Sequence, residues 1–213
     1  MKDFPLFTTE YGVASLILKE VPYRALAFVH IRDVQPGGFD GHLKECVSFC
    51  RMVGAERVLA KGHVELEQYP LHSIVYQMSM ALEQREPEAC LWPVTEETVT
   101  QWREIYNKGM RPYDNHSTLT ARDEINILQS GGAYFVHRDG QLLGIGWMEG
   151  SELLAVVSCV PGMGETVART LFTTVDTDRI TLTVVSTNER AIRLYEKMGF
   201  IKTGEVSRWY RLL

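Results

Sequence analysis

The stretch Ser186–Gly204, STNERAIRLYEKMGFIKTG, decides how this chain is read. It predicts a short amphipathic helix. Ser186 with Glu189 three later has the form of a capping box, or Asn188 itself is the N-cap. Ala191, Ile192, Leu194, Tyr195 and Met198 make one apolar side, Arg190, Arg193, Glu196 and Lys197 are solvated, and Gly199 is the stop. Folding accounts for every one of these residues except the tyrosine. A helical tyrosine among apolar neighbours is usually core, with a bonded hydroxyl.

Outward from this helix, RITLTVV (Arg179–Val185) reads as a strand of β-branched residues and EVSRWYRLL (Glu205–Leu213) as a closing strand. Upstream, AYFVHRDGQLLGIGWMEGSELLAVVSCV (Ala133–Val160) predicts three antiparallel strands, with a strong hairpin signal at Asp139-Gly140. The third, Leu153–Val160, is apolar throughout and is expected to be central with both faces covered. Val160–Thr166 then forms a glycine-rich turn into a helix with Val167, Ala168, Leu171, Phe172 and Val175 on one face, and Arg169, Thr170, Thr173 and Thr174 on the other. Such a turn brings backbone N–H groups and a helix start towards an anion. Many strand-helix turns carry glycine for geometry alone. The turn lacks the Gly-Lys-Ser/Thr ending of a Walker loop and the full GxGxxG pattern.

Before these strands, CLWPVTEET (from Cys90) predicts a strand leading into a helix with Val99, Trp102, Ile105 and Tyr106 on one side. RPYDNHSTLT is a loop, and Thr120 with Asp123 opens a second helix by a capping box. The polar run EQREPEA (Glu83–Ala89) marks a soft boundary, giving an N-terminal α/β subdomain over 1–89 and a second domain over 90–213. In the first part, ASLILKE and RALAFVHIR are strands joined at Val21-Pro22-Tyr23, a helix is expected over His42–Val53 with Gly54 as its cap, and Arg57–Ala60 is a short strand. HSIVYQMSMAL (from His72) fits a strand or a buried helix. Helices alternating with strands predict an α/β fold, α+β with a mixed sheet.

Composition narrows the function. The chain has 213 residues, 45% hydrophobic and 23% charged, with a formal net charge of -5. That balance offers no footprint for nucleic acid or for an anionic membrane surface. No apolar run reaches the ~18 residues of a spanning helix, and MKDFPLFTTEYG lacks the form of a signal peptide. His42, Cys46 and Cys50 recur four apart, a spacing open to a metal, but Leu43, Val47 and Val53 share their face and favour core packing. The expectation is no metal, no disulfide framework and a reducing cytoplasmic setting.

The residues Asn188, Ala191, Tyr195, Gly199-Phe200 and the closing strand resemble the C-terminal motif of the GCN5-related N-acetyltransferases (GNATs), and Gly162-x-Gly164 matches that family's pyrophosphate loop in position and order. The resemblance covers roughly Leu91–Leu213. It implies a GNAT fold with acetyl-CoA as cosubstrate, held in a V-shaped opening between splayed parallel strands, here Leu153–Val160 and Arg179–Val185. It further implies that backbone groups of Cys159 and Val160 pair with the pantetheine arm and that N–H groups of Gly162, Met163, Gly164, Glu165 and Thr166 hold the pyrophosphate. By the same resemblance Asn188 contacts the cofactor arm and Tyr195 protonates the departing thiolate. Three departures stand out: Cys159 occupies a position usually basic or glutamine, the loop is short, with Pro161 running straight into Gly162, and the strand has no internal acid, leaving Glu152 and Glu149 at its entrance as candidate bases.

The implied activity is acetyl transfer to a primary amine of a small molecule or peptide. The alternative is a non-catalytic acyl-CoA-binding or sensor module of the same fold. Trp147, Tyr106, Tyr113 and Asp114 are candidates for the acceptor pocket. Residues 1–89 admit two readings, a degenerate second copy of the fold or an extension with its own topology. Their role is to shape the acceptor pocket or to form an oligomer contact, as in a homodimer.

Overall fold

A computed structural model describes residues 6–83, 86–114 and 116–213. The chain divides into two compact units, Met1–Ile74 with Ser207–Leu213, and Val75–Val206. This division differs from the boundary that local polarity predicts at residue 89. Two residues of that polar run, 84 and 85, lie outside the described residues.

In the first unit β1 (Leu6–Thr8), β2 (Gly12–Ile17) and β3 (Leu26–Val34) form an antiparallel meander. Val21-Pro22-Tyr23 coils into a single helical turn, α1 (Val21–Arg24), with proline in the first turn, where its missing N–H costs nothing. α2 (Phe39–Met52) starts three residues before the expected His42. Its glycine-bearing FDG triplet looks like loop, yet Phe39 is buried and anchors the first turn in the core. The helix closes through Gly54, at φ +97, with Ala55 N–H donating to the Cys50 carbonyl at 2.9 Å. β4 (Arg57–Lys61) runs parallel to β3 and pairs on its other side with Tyr210 and Arg211.

The His42/Cys46/Cys50 stripe is buried in this unit's core. His42 Nδ1 lies 2.8 Å from the Thr9 hydroxyl. Desolvation, with the neighbouring Cys50 and Glu45 charges, pushes the Cys46 thiol up to about 12. Desolvation pushes Cys50 up to about 11. These are inert core thiols.

β5 (Leu71–Ala81) is a strand, which resolves the ambiguity of HSIVYQMSMAL. Its residues from Val75 on belong to the second unit. There follow β6 (Cys90–Pro93), α3 (Val99–Met110), α4 (Glu124–Ser130), β7 (Ala133–Arg138), β8 (Gln141–Glu149), β9 (Glu152–Ser158), α5 (Gly164–Phe172), β10 (Arg179–Val185), α6 (Glu189–Met198) and β11 (Ile201–Arg211). The strand order in this unit is β5-β10-β9-β8-β7-β6. The β7–β8 turn has Asp139 at φ 53 and Gly140 at φ 77, the left-handed pair of a tight hairpin. Before α4 the capping box forms, with Thr120 N–H donating to Asp123 Oδ2 at 2.7 Å.

α5 lays Val167, Ala168 and Leu171, all fully buried, against β8. A Cβ at Gly146 would strike Leu171, so this glycine sets how close the helix can come. Thr170, expected on the solvated face, is fully buried, and its hydroxyl donates to the Thr166 carbonyl at 2.8 Å. That local bond lets a small polar side chain sit inside.

Meander, helix and parallel strand thus occur in both units: β1–β2–β3–α2–β4 and β7–β8–β9–α5–β10. The two parallel pairs differ. β3 and β4 stay in register from Leu26–Arg57 to His30–Lys61. β9 and β10 pair at Thr181–Glu152 and Leu182–Leu153 and then separate. Among the described residues no helix is long and apolar enough to cross a membrane.

Candidate functional site

The separation of β9 from β10 opens a cleft of about 420 Å³ in the second unit. One wall is Leu153–Ser158, the other Thr183–Val185, and Gly162 and Gly164 stand at the end of β9. The expectation that the third strand is covered on both faces fails here. Leu154 is 38% exposed and Val156 lines the cleft. An unbroken apolar run cannot distinguish a strand buried by protein from one facing an apolar binding cleft.

Backbone polarity along β9 follows from its pairing. Cys159 N–H donates to the Leu143 carbonyl at 2.8 Å, on the β8 side. Backbone groups alternate in direction along a strand. The N–H and C=O groups of Val156 and Ser158 therefore face the edge that β10 has left. The Cys159 N–H is taken by β8, and the Val160 carbonyl accepts the Ser158 hydroxyl at 2.6 Å and the Met163 N–H at 3.2 Å.

The glycine turn is built as its composition suggests. Gly162 takes φ +84, a left-handed conformation that a Cβ would strain. Met163 is the N-cap of α5. The first N–H groups of a helix have no partner within it, so Gly164, Glu165 and Thr166 present donors. The side chains of Glu165 and Thr166 are otherwise engaged. Glu165 accepts from Lys197 at 2.8 Å and Arg169 at 3.0 Å, and these bonds, Lys197 first, outweigh burial and hold its carboxyl below the usual range. The Thr166 hydroxyl donates to Glu88 at 3.1 Å.

Cations reach this turn from elsewhere in the fold. The Arg138 guanidinium, from the end of β7, lies 3.4 Å from Met163 Sδ. Partial desolvation raises the Cys159 thiol, and the positive charge of Lys108 on α3 opposes that rise. Sequence reasoning missed both residues. Arg138 was visible only as the residue beside the Asp139-Gly140 turn, and nothing local links it to the glycine loop.

On α6, Asn188 is the N-cap, its Oδ1 accepting the Ala191 N–H at 3.1 Å. Asn188 lines the cleft. Gly199 closes the helix at φ +102. Tyr195 also lines the cleft, packed against Phe200 with ring centroids 5.5 Å apart. Desolvation, and behind it the Tyr113 phenol, pushes the Tyr195 hydroxyl up to about 12, so it holds its proton at neutral pH.

The remaining candidates separate. Tyr106 and Tyr113 line the cleft, and Glu152, Asp114 and Trp147 are outside that lining. Glu152 sits where β9 and β10 are still paired, opposite Glu149 on β8. The Trp147 indole donates to the Ser130 hydroxyl at 3.0 Å and meets Trp102 edge-on.

The family model for FR47-like proteins matches residues 160–210, from the glycine turn to the last strand. No curated protein sequence matches the chain. Among solved structures, a GCN5-related N-acetyltransferase from Kribbella flavida is 15% identical with a TM-score of 0.59, over 99% of this chain and 89% of that one. One from Sphaerobacter thermophilus is 13% identical with a TM-score of 0.58, over 93% and 75%. A tandem GNAT protein from the clavulanic acid biosynthesis pathway, solved without acetyl-CoA, is 13% identical with a TM-score of 0.52, over 94% and 78%. The chain has the fold of the GCN5-related N-acetyltransferases, the superfamily that its C-terminal motif resembles.

Proposed function

We propose that this chain transfers an acetyl group from acetyl-CoA to a primary amine, using the cleft between β9 and β10. One observation carries the reading: two parallel neighbours part after Leu153 and Leu182, leaving β9 backbone groups facing a cleft with a glycine turn at its end. An extended arm bearing amides can satisfy those groups as a strand would. The diphosphate meets the α5 N-terminus, with Arg138 supplying charge that the loop itself lacks.

Chemistry follows from the side chains that share the cleft. The amine nitrogen attacks the thioester carbonyl, the carbon–sulfur bond breaks, and the thiolate leaves. Tyr195 holds a proton in a water-poor site, where a newly formed thiolate is as poorly solvated as a phenolate. It gives that proton to sulfur as general acid. The parallel pair in the first unit stays zipped through His30–Lys61 and provides no second cleft of this kind.

Calorimetric titration with acetyl-CoA, followed by thiol release with amines present, tests the reading. Binding with amine-dependent CoA release is expected. Binding without release would leave a carrier-sensing module, and absence of binding would end the proposal.

A further inference from the structure

We propose that His116 is the general base, and that the acceptor is a monoamine with an apolar body. This inference rests on the acetyltransferase reading above. Among the described residues that line the cleft none is Asp or Glu, and Arg190 is the one with a permanent charge. Glu152, at the paired end of β9, is outside the lining. His116 is in it, and imidazole is the side chain that ordinarily exchanges a proton near neutrality.

The imidazole is held by a built platform. It meets the Tyr106 ring edge-on, at 6.1 Å between centroids. Tyr106 stacks on Trp102 at 5.6 Å, and the fully buried Trp102 donates its indole N–H to the Tyr134 carbonyl at 3.1 Å. The loop carrying His116 is clipped back to α3. Asn107 on that helix donates to the Leu119 carbonyl and accepts the Leu119 N–H, both at 2.8 Å. The capping box at Thr120 fixes the next residue. A histidine in an exposed loop needs no such support, whereas a proton acceptor needs a fixed position.

The same surroundings select the acceptor. Met110, Tyr106, Tyr113, Leu154 and Val156 offer apolar and aromatic surface. A polycation would find no carboxylate there and would face Arg190. An amine with one charge and an apolar body gives its ammonium proton to solvent on entry, then buries the rest as a neutral amine. In balance, the acceptor N–H proton passes to the His116 ring as the N–C bond forms and the C–S bond breaks. Tyr195 protonates sulfur, and the imidazolium proton returns to the Tyr195 oxygen through solvent.

Titratable or charged groups sharing the cleft are Tyr106 on α3, Tyr113 on the His116 loop, and Arg190 and Tyr195 on α6. The test uses the full chain with acetyl-CoA and either phenethylamine or spermidine, reading CoA release against pH. Phenethylamine should be the better acceptor. His116→Gln should lower kcat about 100- to 1,000-fold near neutral pH and abolish the acidic limb of the kcat/KM profile. Its acetyl-CoA affinity should be unchanged. His116→Ala should regain turnover with added imidazole, which a merely structural role would not produce. Preference for spermidine, no turnover of either amine by a chain that binds acetyl-CoA, or an unchanged limb in His116→Gln would each overturn the inference. Failure of the parent chain to bind acetyl-CoA would instead overturn the acetyltransferase reading.

Discussion

Replacing Tyr195 by phenylalanine removes one oxygen from the cleft and little else. The ring keeps its packing against Phe200, with centroids 5.5 Å apart, and its place in the buried cluster under α6. Loss of a single hydroxyl should shift folding stability by no more than about 1 kcal/mol. The phenol, held up to about 12, is protonated throughout the neutral range, so the unsubstituted chain always has this proton to give. A positioned general acid contributes typically ~10²–10⁴-fold. At about 1.4 kcal/mol per tenfold, the variant should therefore lose about 3–6 kcal/mol of transition-state stabilisation. Acetyl-CoA is held by backbone groups and the α5 N-terminus in this account, so its Kd should move by under about threefold, ~0.6 kcal/mol. Single-turnover CoA release and calorimetry on the same preparation separate the two quantities. Unchanged turnover would refute the acid role, and a parallel loss of acetyl-CoA affinity would show that the hydroxyl serves binding.

Three further outcomes follow. Asn188→Ala removes the 3.1 Å cap on α6 and should cost about 1 kcal/mol of stability in denaturant unfolding, with weaker acetyl-CoA binding besides. Maleimide should label Cys90 and Cys159 in the native chain and spare the buried Cys46 and Cys50; acetyl-CoA should slow labelling at Cys159 and leave Cys90 unaffected, as mass spectrometry of the peptides can read. His30 is lowered from 6.5 to about 4, by desolvation first and then by the charges of Lys61 and Arg32. The folded chain binds its proton less readily than the unfolded one, so stability is present above pH 6.5 and is lost as pH falls towards about 4. His30→Gln should flatten melting temperature across that window, and an unaltered slope would assign the loss to other groups.

The parts of the fold legible in the sequence were those set by near neighbours. Asn188 and Gly199 bound a helix because capping is decided within a turn or two, and Asp139-Gly140 marks its hairpin for the same reason. The order of strands and helices after Cys90 was also readable from periodicity. Parting of β9 from β10 was not derivable from the residues. Leu153–Ser158 and Arg179–Val185 would be equally at home in a zipped pair, and only the family resemblance suggested otherwise. The compact units divide at Ile74 and Val75 and not at residue 89 because β5 pairs with β10, a partner about a hundred residues away in register, from Ala81–Arg179 to Val75–Val185. Arg138 and His116 escaped notice because each reaches the site through tertiary placement alone. His116 lies within RPYDNHSTLT, the stretch that also carries Tyr113 and Asp114.

Hydrogen exchange of individual backbone amides, with and without acetyl-CoA, tests the central claim most directly. Protection should rise at Val156 and Ser158, along the edge that β10 leaves, and at Gly164, Glu165 and Thr166 at the start of α5. The zipped pair of β3 and β4 should be unaffected. Acetyl-CoA binding that leaves Val156 and Ser158 exchanging at their original rates would contradict the account.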